Sequence, residues 1–338
     1  VGSHICLNLL RSGYKIKVID SLINSSYKSL LKLSEICGSN CGDLHDNIQF
    51  FKVDIRNKKE IEEVFDFSKE CGDVIKSVIH LAGLKSVEES IKKPLEYWEV
   101  NVNGTLNLIR VMEKNSCKNF VFSSSATVYG NKNDTLLSEN LIPNPSNTYG
   151  VTKYVTEKLL NQIYEKAPNE WKIVNLRYFN PIGAHSSGII GEDPIMPSGN
   201  VFPRLINIAA NKGKFKIFGN DWPTKDGTGI RDYIHVMDLA EGHARALYYL
   251  LANGPQIITL NVGTGIGTSV LELVEAFQKA NNIRIEYFFE KRRLGDVPIL
   301  IANNKKISRI FGWTPKRNLE MMCLDGWNWK KRNPIGYF

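Results

Sequence analysis

Phe120-Val121-Phe122-Ser123-Ser124-Ser125-Ala126-Thr127 and, further on, Asn147-Thr148-Tyr149-Gly150-Val151-Thr152-Lys153 decide the fold. The first stretch is a short apolar strand pattern over 120–124 that ends in serines. The second opens a helical pattern over 149–165. Outward from this pair, strand patterns at 15–20, 48–53, 77–81 and 173–178 are equally short and rich in Val, Ile and Phe. Helical patterns lie between them at 3–12, 58–69 and 94–115. Such alternation implies right-handed βαβ units and a parallel sheet covered by helices, with ligands at the carboxyl ends of the strands. After Pro181 the pattern loosens, with Gly, Pro, Ser and Asn concentrated at 183–203 and 219–229 and helices expected near 200–211, 236–253, 270–281 and 319–332. The reading is an α/β chain: a Rossmann-type doubly wound domain over 1–180, then a smaller α/β substrate lobe over 181–338 with some elements returning to the first domain.

The chemistry sits in the same two stretches. Positions four apart share a helix face, so Tyr149 and Lys153 lie side by side. A free phenol titrates near about 10 and is a poor base at neutral pH. A neighbouring cation stabilises the phenolate and is expected to lower that value toward the working pH, where general-base catalysis is effective. Ser125, 24 residues before Tyr149, is placed to hydrogen-bond the same reacting hydroxyl. The set is suited to taking a proton from an alcohol carbon as a hydride leaves it.

Composition excludes several classes. Apolar residues make up 43% and charged residues 23%, an ordinary globular balance. No apolar run approaches the roughly 18 residues of a membrane helix, so no membrane association is expected. The net charge of +8 comes from scattered lysines, apart from Lys291-Arg292-Arg293 and Lys330-Lys331-Arg332, without the basic stripe of a nucleic-acid binder. That charge suits an anionic small substrate. The six cysteines, Cys6, Cys37, Cys41, Cys71, Cys117 and Cys323, form no Cys-x-x-Cys pair. They are read as free thiols in a reducing cytosol, and Cys37, Cys41 and His45 as no metal site, because zinc wants four well-spaced ligands.

Val1-Gly2-Ser3-His4, leading into a helix pattern, matches the end of a dinucleotide-binding turn, with Gly2 as its final glycine. Asp20 closes the strand pattern 18 residues later, where a carboxylate holds a ribose hydroxyl and repels the extra phosphate of NADP, so NAD is the expected cofactor. Asp54-Ile55 is placed to meet adenine, and Leu81-Ala82-Gly83-Leu84-Lys85 allows close backbone approach with a lysine in reach of ribose or phosphate. The central opening strand of such a sheet has no counterpart in the chain. Its absence leaves the 15–20 strand without a ladder partner, at a cost of several kcal/mol. The chain is therefore expected to be a fragment of a longer one.

These residues resemble the extended short-chain dehydrogenase/reductase superfamily and, within it, the UDP-glucose 4-epimerase family. The similarity spans essentially the whole chain and is strongest in 122–130, Arg177-Tyr178-Phe179-Asn180-Pro181, Gly191-Glu192-Asp193-Pro194, Phe218-Gly219-Asn220-Asp221 and 226–236. It implies 4-epimerisation of UDP-galactose and UDP-glucose through a transient 4-keto sugar. Tyr149 takes the 4-hydroxyl proton, Ser125 bridges it, and Lys153 holds the cofactor ribose. Hydride passes to bound NAD and returns on the opposite face after the sugar turns.

The resemblance further implies cofactor contacts from Gly2, Asp20, Asn24, Asp54, Ile55, Leu81, Ala82, Gly83, Lys85, Asn101 and Phe179. It assigns the substrate to Lys85, Asn180, Asn200, Val201, Lys216, Ile217, Phe218, Arg231, Arg293, Asp296 and Leu300. Arg231 and Arg293 are the expected diphosphate ligands, because guanidinium binds phosphate through two bonds at once. A homodimer joined through 94–115 and 149–165, in the cytoplasm, is also implied. Ser21 replaces a usual asparagine and Leu294 a usual glutamate. Leu300 stands where side-chain bulk admits or rejects N-acetylated sugars. A 4,6-dehydratase requires an Asp-Glu pair after the threonine of the serine-rich strand end, and Ala126-Thr127-Val128 offers neither carboxylate. A UDP-hexuronate epimerase or decarboxylase, or a non-catalytic remnant, are the alternatives.

Overall fold

The structure, a computed structural model, describes residues 1–41, 44–132, 136–195, 199–293 and 295–337. Its first half follows the expected alternation: α1 (Gly2–Arg11), β1 (Ile16–Asp20), β2 (Ile48–Lys52), α2 (Lys58–Glu70), β3 (Ser77–His80), α3 (Gly104–Lys114), β4 (Asn119–Ser125), α4 (Thr148–Lys166) and β5 (Lys172–Tyr178). The second half adds β6 (Asn180–Ile182), α5 (Val201–Asn211), β7 (Lys214–Phe218), β8 (Ile230–His235), α6 (Val236–Ala252), β9 (Gln256–Val262), β10 (Gly267–Ser269), α7 (Val270–Asn281), β11 (Glu286–Glu290), β12 (Ile299–Leu300) and α8 (Leu319–Arg332). Shorter helical turns lie between these elements.

β3, β4, β5 and β9 form one parallel sheet in that order, and β1 pairs β2 in a second parallel ladder. Among the described residues no ladder joins β1 to β3. Helices cover both faces. Ile61, Val64, Leu108, Met112 and Leu160 of α2, α3 and α4 pack on one side of β4 and β5. Leu239, Ala246 and Leu250 of α6 pack on the other. Inward apolar residues at helical spacing are what place these helices. A separate core, with Phe202, Phe215, Tyr233, Phe277 and Met322 at its centre, holds the loop-rich half together.

Three expectations are corrected. The span 94–115 is not one helix: Pro94–Tyr97 is followed by a π-helical turn, Trp98–Asn103, and then by α3. Such wide turns redirect a side chain, and here the redirected residue is Asn101. The strands after residue 181 were not anticipated, because they are short and interleaved with glycine-rich loops, although Lys214-Phe215-Lys216-Ile217 carries the polar–apolar alternation of a strand. Cys37 and Cys41 are not free thiols but a disulfide. The helix over Leu33–Cys37 ends at Gly38 with φ of 53°, and a tight turn returns Cys41 to a Cα separation of 5.5 Å. That is within disulfide reach. No cluster suited to a metal occurs among the described residues, and the His45 side chain lies outside them.

Candidate active site

The side chains that matter converge at the carboxyl ends of β3, β4 and β5. Asn147 caps α4, its Oδ1 accepting from Gly150 N at 2.9 Å, so the helix starts at Thr148 and Tyr149 falls in its first turn. Gly150 lets that turn approach the end of β4: a Cβ there would lie 2.8 Å from the Thr127 carbonyl oxygen. This close approach sets Tyr149 beside Ser125, whose hydroxyl acts on the phenol in the lowering direction. Ser125 Oγ also accepts from the Thr127 amide at 3.2 Å and from the Thr127 hydroxyl at 2.9 Å. Gly150 escaped the sequence reading, although a glycine directly after the tyrosine was its available signal.

Lys153 lies one turn on, 5% exposed, its Nζ 5.9 Å from the Tyr149 ring centroid and donating to the Ser123 carbonyl at 2.8 Å. Burial lowers its ammonium from 10.5 to about 8, opposed by Glu157. Tyr149 is half-buried, so a ligand has access to it. Its phenol is not lowered in this structure. Burial raises it above 10, against smaller lowering effects from the Ser125 hydroxyl and the Lys85 charge. Desolvation outweighs the neighbouring cation because it penalises the phenolate directly.

The proposed cofactor residues form a second group. A Cβ on Gly2 would sit 3.7 Å from Leu81 Cδ1, so the start of α1 and the end of β3 adjoin. The first turn of α1 has no side-chain cap, leaving amides for an anion. Asp20 ends β1 and accepts at Oδ1 from Leu22 N and Ser25 Oγ, each at 2.8 Å. Asn24 is exposed in the following loop. Ala82 and Gly83 are exposed, and a Cβ on Gly83 would press to 2.9 Å from Asn101 Oδ1. Asn101 itself holds the Leu84 backbone by two bonds (2.8 and 3.0 Å) and reaches Thr152 Oγ1 at 3.1 Å, so it braces the Gly83–Lys85 turn. Asp54 is engaged by Arg56, at 2.6 Å from Nη2 to Oδ2, and Ile55 is buried under Gly104. Lys85 pairs with Glu192 at 3.0 Å. An uncapped helix start, an acidic strand end and a side-chain-free cradle together fit a dinucleotide.

The remaining residues gather on the second lobe. β12 runs beside β8 with Leu300 opposite Arg231, and β6 beside β8 with Asn180 opposite Tyr233. Buried Asp232 fixes this arrangement, accepting from Thr264 N, Gly265 N and Ala302 N at 2.8, 2.8 and 3.1 Å. Leu300 packs in one cluster with Phe179, Ala126 and Tyr129, next to the serine-rich strand end. Asn180 Oδ1 is buried without a partner among the described residues, an acceptor left for a donor from outside. Arg231 pairs with Asp296. Arg293 donates to the Gly199 carbonyl at 2.7 Å and stacks 4.0 Å over the Phe218 ring. Ile217 is buried beneath, while Lys216 turns to Glu290 at 3.1 Å. Asn200 stands at the N-cap position of α5, without a side-chain cap bond, and Val201 opens the helix. Leu294 lies outside the described residues. Arg204, missed in the sequence, stacks 4.9 Å from Phe218.

A serine, a first-turn tyrosine and a lysine one turn later, beside a glycine-lined cradle on a parallel sheet, define a short-chain dehydrogenase/reductase type of site. The comparisons agree. A family model described as GDP-mannose 4,6 dehydratase matches residues 1–325. "UDP-glucose 4-epimerase" of Bacillus subtilis (strain 168) is 45% identical over 338 residues, covering 100% of this chain and 96% of that protein. "UDP-glucose 4-epimerase 4" of Oryza sativa subsp. japonica is also 45% identical, covering 100% and 89%. The crystal structure of UDP-glucose 4-epimerase from Bifidobacterium longum in complex with NAD+ and UDP superposes with a TM-score of 0.91 at 37% identity, covering 99% of this chain and 96% of that one. The chain belongs to the UDP-glucose 4-epimerase family of extended short-chain dehydrogenases/reductases.

Proposed function

We propose that this chain is a UDP-glucose 4-epimerase that interconverts UDP-galactose and UDP-glucose with NAD as its cofactor. The observation that carries the reading is Tyr149 set beside Ser125, with Lys153 one helical turn away. When bound, NAD supplies the acceptor and donor of the hexose C4 hydride. The chain's own residues do the rest. Tyr149 Oη takes the proton of the 4-hydroxyl and gives it back after the sugar has turned, with Ser125 Oγ bridging phenol and alcohol. Ala82, Gly83 and the α1 start hold the pyrophosphate, Asp20 the adenosine ribose, and Lys153 the nicotinamide ribose. Phe179, packed with Ala126 and Leu300, closes the apolar wall behind the reacting ring. Arg231 and Arg293 hold the UDP diphosphate while the sugar rotates, and Asn180 Oδ1 accepts a hydrogen bond from the substrate. Phe218, Ile217 and Lys216, with Asn200, Val201 and Asp296, line the uridine end.

The division into a cofactor domain over 1–180 and a substrate lobe over 181–338 is part of the same reading, supported by the two separate cores. α6, which covers one face of the first sheet, and β9, which joins it beside β5, are the returning elements. The open edges of β1 and β3 support the expectation of a further strand between them. Exposed Leu95, Ile91 and Trp98 support a homodimer through the 94–115 segment. No helix among the described residues is long and apolar enough to cross a membrane. A cytoplasmic setting is proposed with it, and the Cys37–Cys41 bond stands against that part.

The test is incubation of the purified chain with UDP-galactose and no added nucleotide, after reconstitution with NAD and removal of the excess. UDP-glucose formed without net NADH is expected. No UDP-glucose from NAD-loaded protein refutes the activity. Formation of a 4-keto-6-deoxy sugar instead would favour the dehydratase chemistry for which Ala126-Thr127-Val128 lacks carboxylates.

A further inference from the structure

Below the tyrosine and lysine, and reaching neither ligand, lies a buried charge pair. Glu157 is the third residue of a line along α4: Tyr149, Lys153 and Glu157 recur at intervals of four and share a face. Arg177 of β5 binds Glu157 bidentately, Nε to Oε1 at 3.0 Å and Nη2 to Oε2 at 2.6 Å. Ser124 donates to the same carboxylate at 2.5 Å. Glu157 and Arg177 are 3% and 4% exposed, so both charges have left water. A buried pair of this kind gains little stability over an apolar one. Its presence under an active site therefore asks for another reason.

The strands supply it. Arg177 lies opposite Ser124 in the β4–β5 ladder, and Ser124 is flanked by Ser123, whose carbonyl receives Lys153, and Ser125, which stands beside Tyr149. The pair thus pins α4 to the two strand ends that aim the reacting groups. It also places a carboxylate one turn from an ammonium that is otherwise surrounded by the Phe122 ring at 5.0 Å and the Tyr149 ring. The other titratable groups facing Lys153 give it no counter-charge. His80 from β3 is held neutral by burial, its pKa lowered to about 3, and bonds Thr105 Oγ1 at 2.8 Å. Lys85 is itself cationic and is directed at Glu192.

We propose that Glu157, braced by Arg177 and Ser124, is a positioning residue that keeps the Lys153 side chain charged and aimed beneath Tyr149. The opposition between burial and the Glu157 charge at Lys153 supports this. The proposal rests on the role given to Lys153 above. It implies that the alkaline fall of turnover is set by Glu157, a residue that touches neither substrate nor cofactor.

The test compares the pH profile of kcat in the NAD-loaded wild type with two variants. Glu157→Gln strands Arg177 as an uncompensated buried charge and is at risk of unfolding. The double variant E157M/R177M removes both charges while keeping bulk, and is expected to fold with a thermal midpoint near that of the wild type. Its alkaline limb is expected a few tenths of a pH unit lower, less than the roughly one unit of a lone opposite charge because the Arg177 charge leaves with it, with about twofold lower kcat above the limb. A folded double variant with the wild-type limb overturns the proposal, since a purely structural pair does not move it. A double variant that does not fold also overturns it, by making the pair a requirement of the fold. Lys153→Met separates the two layers: if it too keeps wild-type turnover and pH profile, the role of Lys153 fails and the proposal with it. If it loses activity while the double variant retains the limb, only the Glu157 proposal fails.

Discussion

Lys153 Nζ donates to the backbone carbonyl of Ser123 at 2.8 Å and stands 5.9 Å from the centre of the Tyr149 ring. The ammonium is thus anchored to the strand end beside the tyrosine ring. Its neighbour's pKa is raised by burial and opposed by Ser125 and Lys85, so the protein alone leaves Tyr149 protonated at neutral pH. A cationic nicotinamide beside the phenol would act in the lowering direction, which ties the base to cofactor occupancy.

Tyr149→Phe removes the hydroxyl and keeps the ring. We expect the variant to fold, with an unchanged melting curve, and kcat to fall by about 10²–10⁴-fold, the usual worth of a general base. Wild-type turnover in this variant would remove Tyr149 from its role.

Lys153→Met tests the opposite balance. The fall of its ammonium from 10.5 to about 8 means that folding favours the neutral amine. Between about pH 8 and 10.5 the unfolded chain binds more protons, so stability rises with pH through that window, and the penalty is complete below pH 8. The shift corresponds to roughly 3 kcal/mol, partly offset in the variant by the lost bond to Ser123. We expect Lys153→Met to melt no lower than the wild type at pH 7 while losing turnover. The advantage is expected to disappear at pH 10.5. A variant markedly less stable at pH 7 contradicts this account of the buried lysine.

The first half of the fold was legible because its signals are local. Strand patterns at 48–53 and 173–178, and the helix from Tyr149, lie within a residue or so of β2, β5 and α4. The proximity of Ser125, Tyr149 and Lys153 was legible for the same reason, since a strand end and one helical turn contain it. What escaped depends on geometry that no periodicity announces, near or far in sequence. Glu157 reaches Arg177 across two elements, Asn101 is aimed by a π-turn, and Cys37 meets Cys41 only because Gly38 turns the chain back. The direction of the Tyr149 shift escaped too, because burial is a tertiary quantity.

Reaction of the six cysteines with a thiol reagent checks that last pairing. The structure leaves Cys6, Cys71, Cys117 and Cys323 free. Denatured, unreduced protein is expected to titrate four thiols, and reduced protein all six. Six in both conditions restores the free-thiol reading and with it the case for a reducing compartment.

Arg293→Ala addresses the substrate grip. Its guanidinium is stacked on Phe218 and bonded to the Gly199 carbonyl, within the influence of Arg231 and Asp296. A diphosphate bound equally in ground and transition states is lost as affinity. We expect KM for UDP-galactose to rise by about 10–100-fold, with kcat changed only a few-fold. A fall in kcat at constant KM would move Arg293 from binding to the chemical step.

Leu300→Tyr tests whether this position sets which sugars are admitted. It is 8% exposed, opposite Arg231 in the β8–β12 pairing and packed with Phe179. In the proposed site it would stand between the diphosphate grip and the reacting ring, where bulk on the hexose must be accommodated. Leucine has neither the length nor the hydroxyl of tyrosine, so Leu300→Tyr extends a side chain into that space and adds a group requiring a polar partner. An N-acetyl substituent at C2 meets this added volume, whereas a hydroxyl does not. The expected result is a drop of at least about tenfold in kcat/KM for the N-acetylated substrate relative to UDP-galactose, since exclusion of a group by overpacking is worth roughly 1–3 kcal/mol. Parallel initial-rate measurements on both substrates, in wild type and variant, decide it. A constant ratio would place the acetyl group elsewhere and leave Leu300 as part of the apolar wall alone.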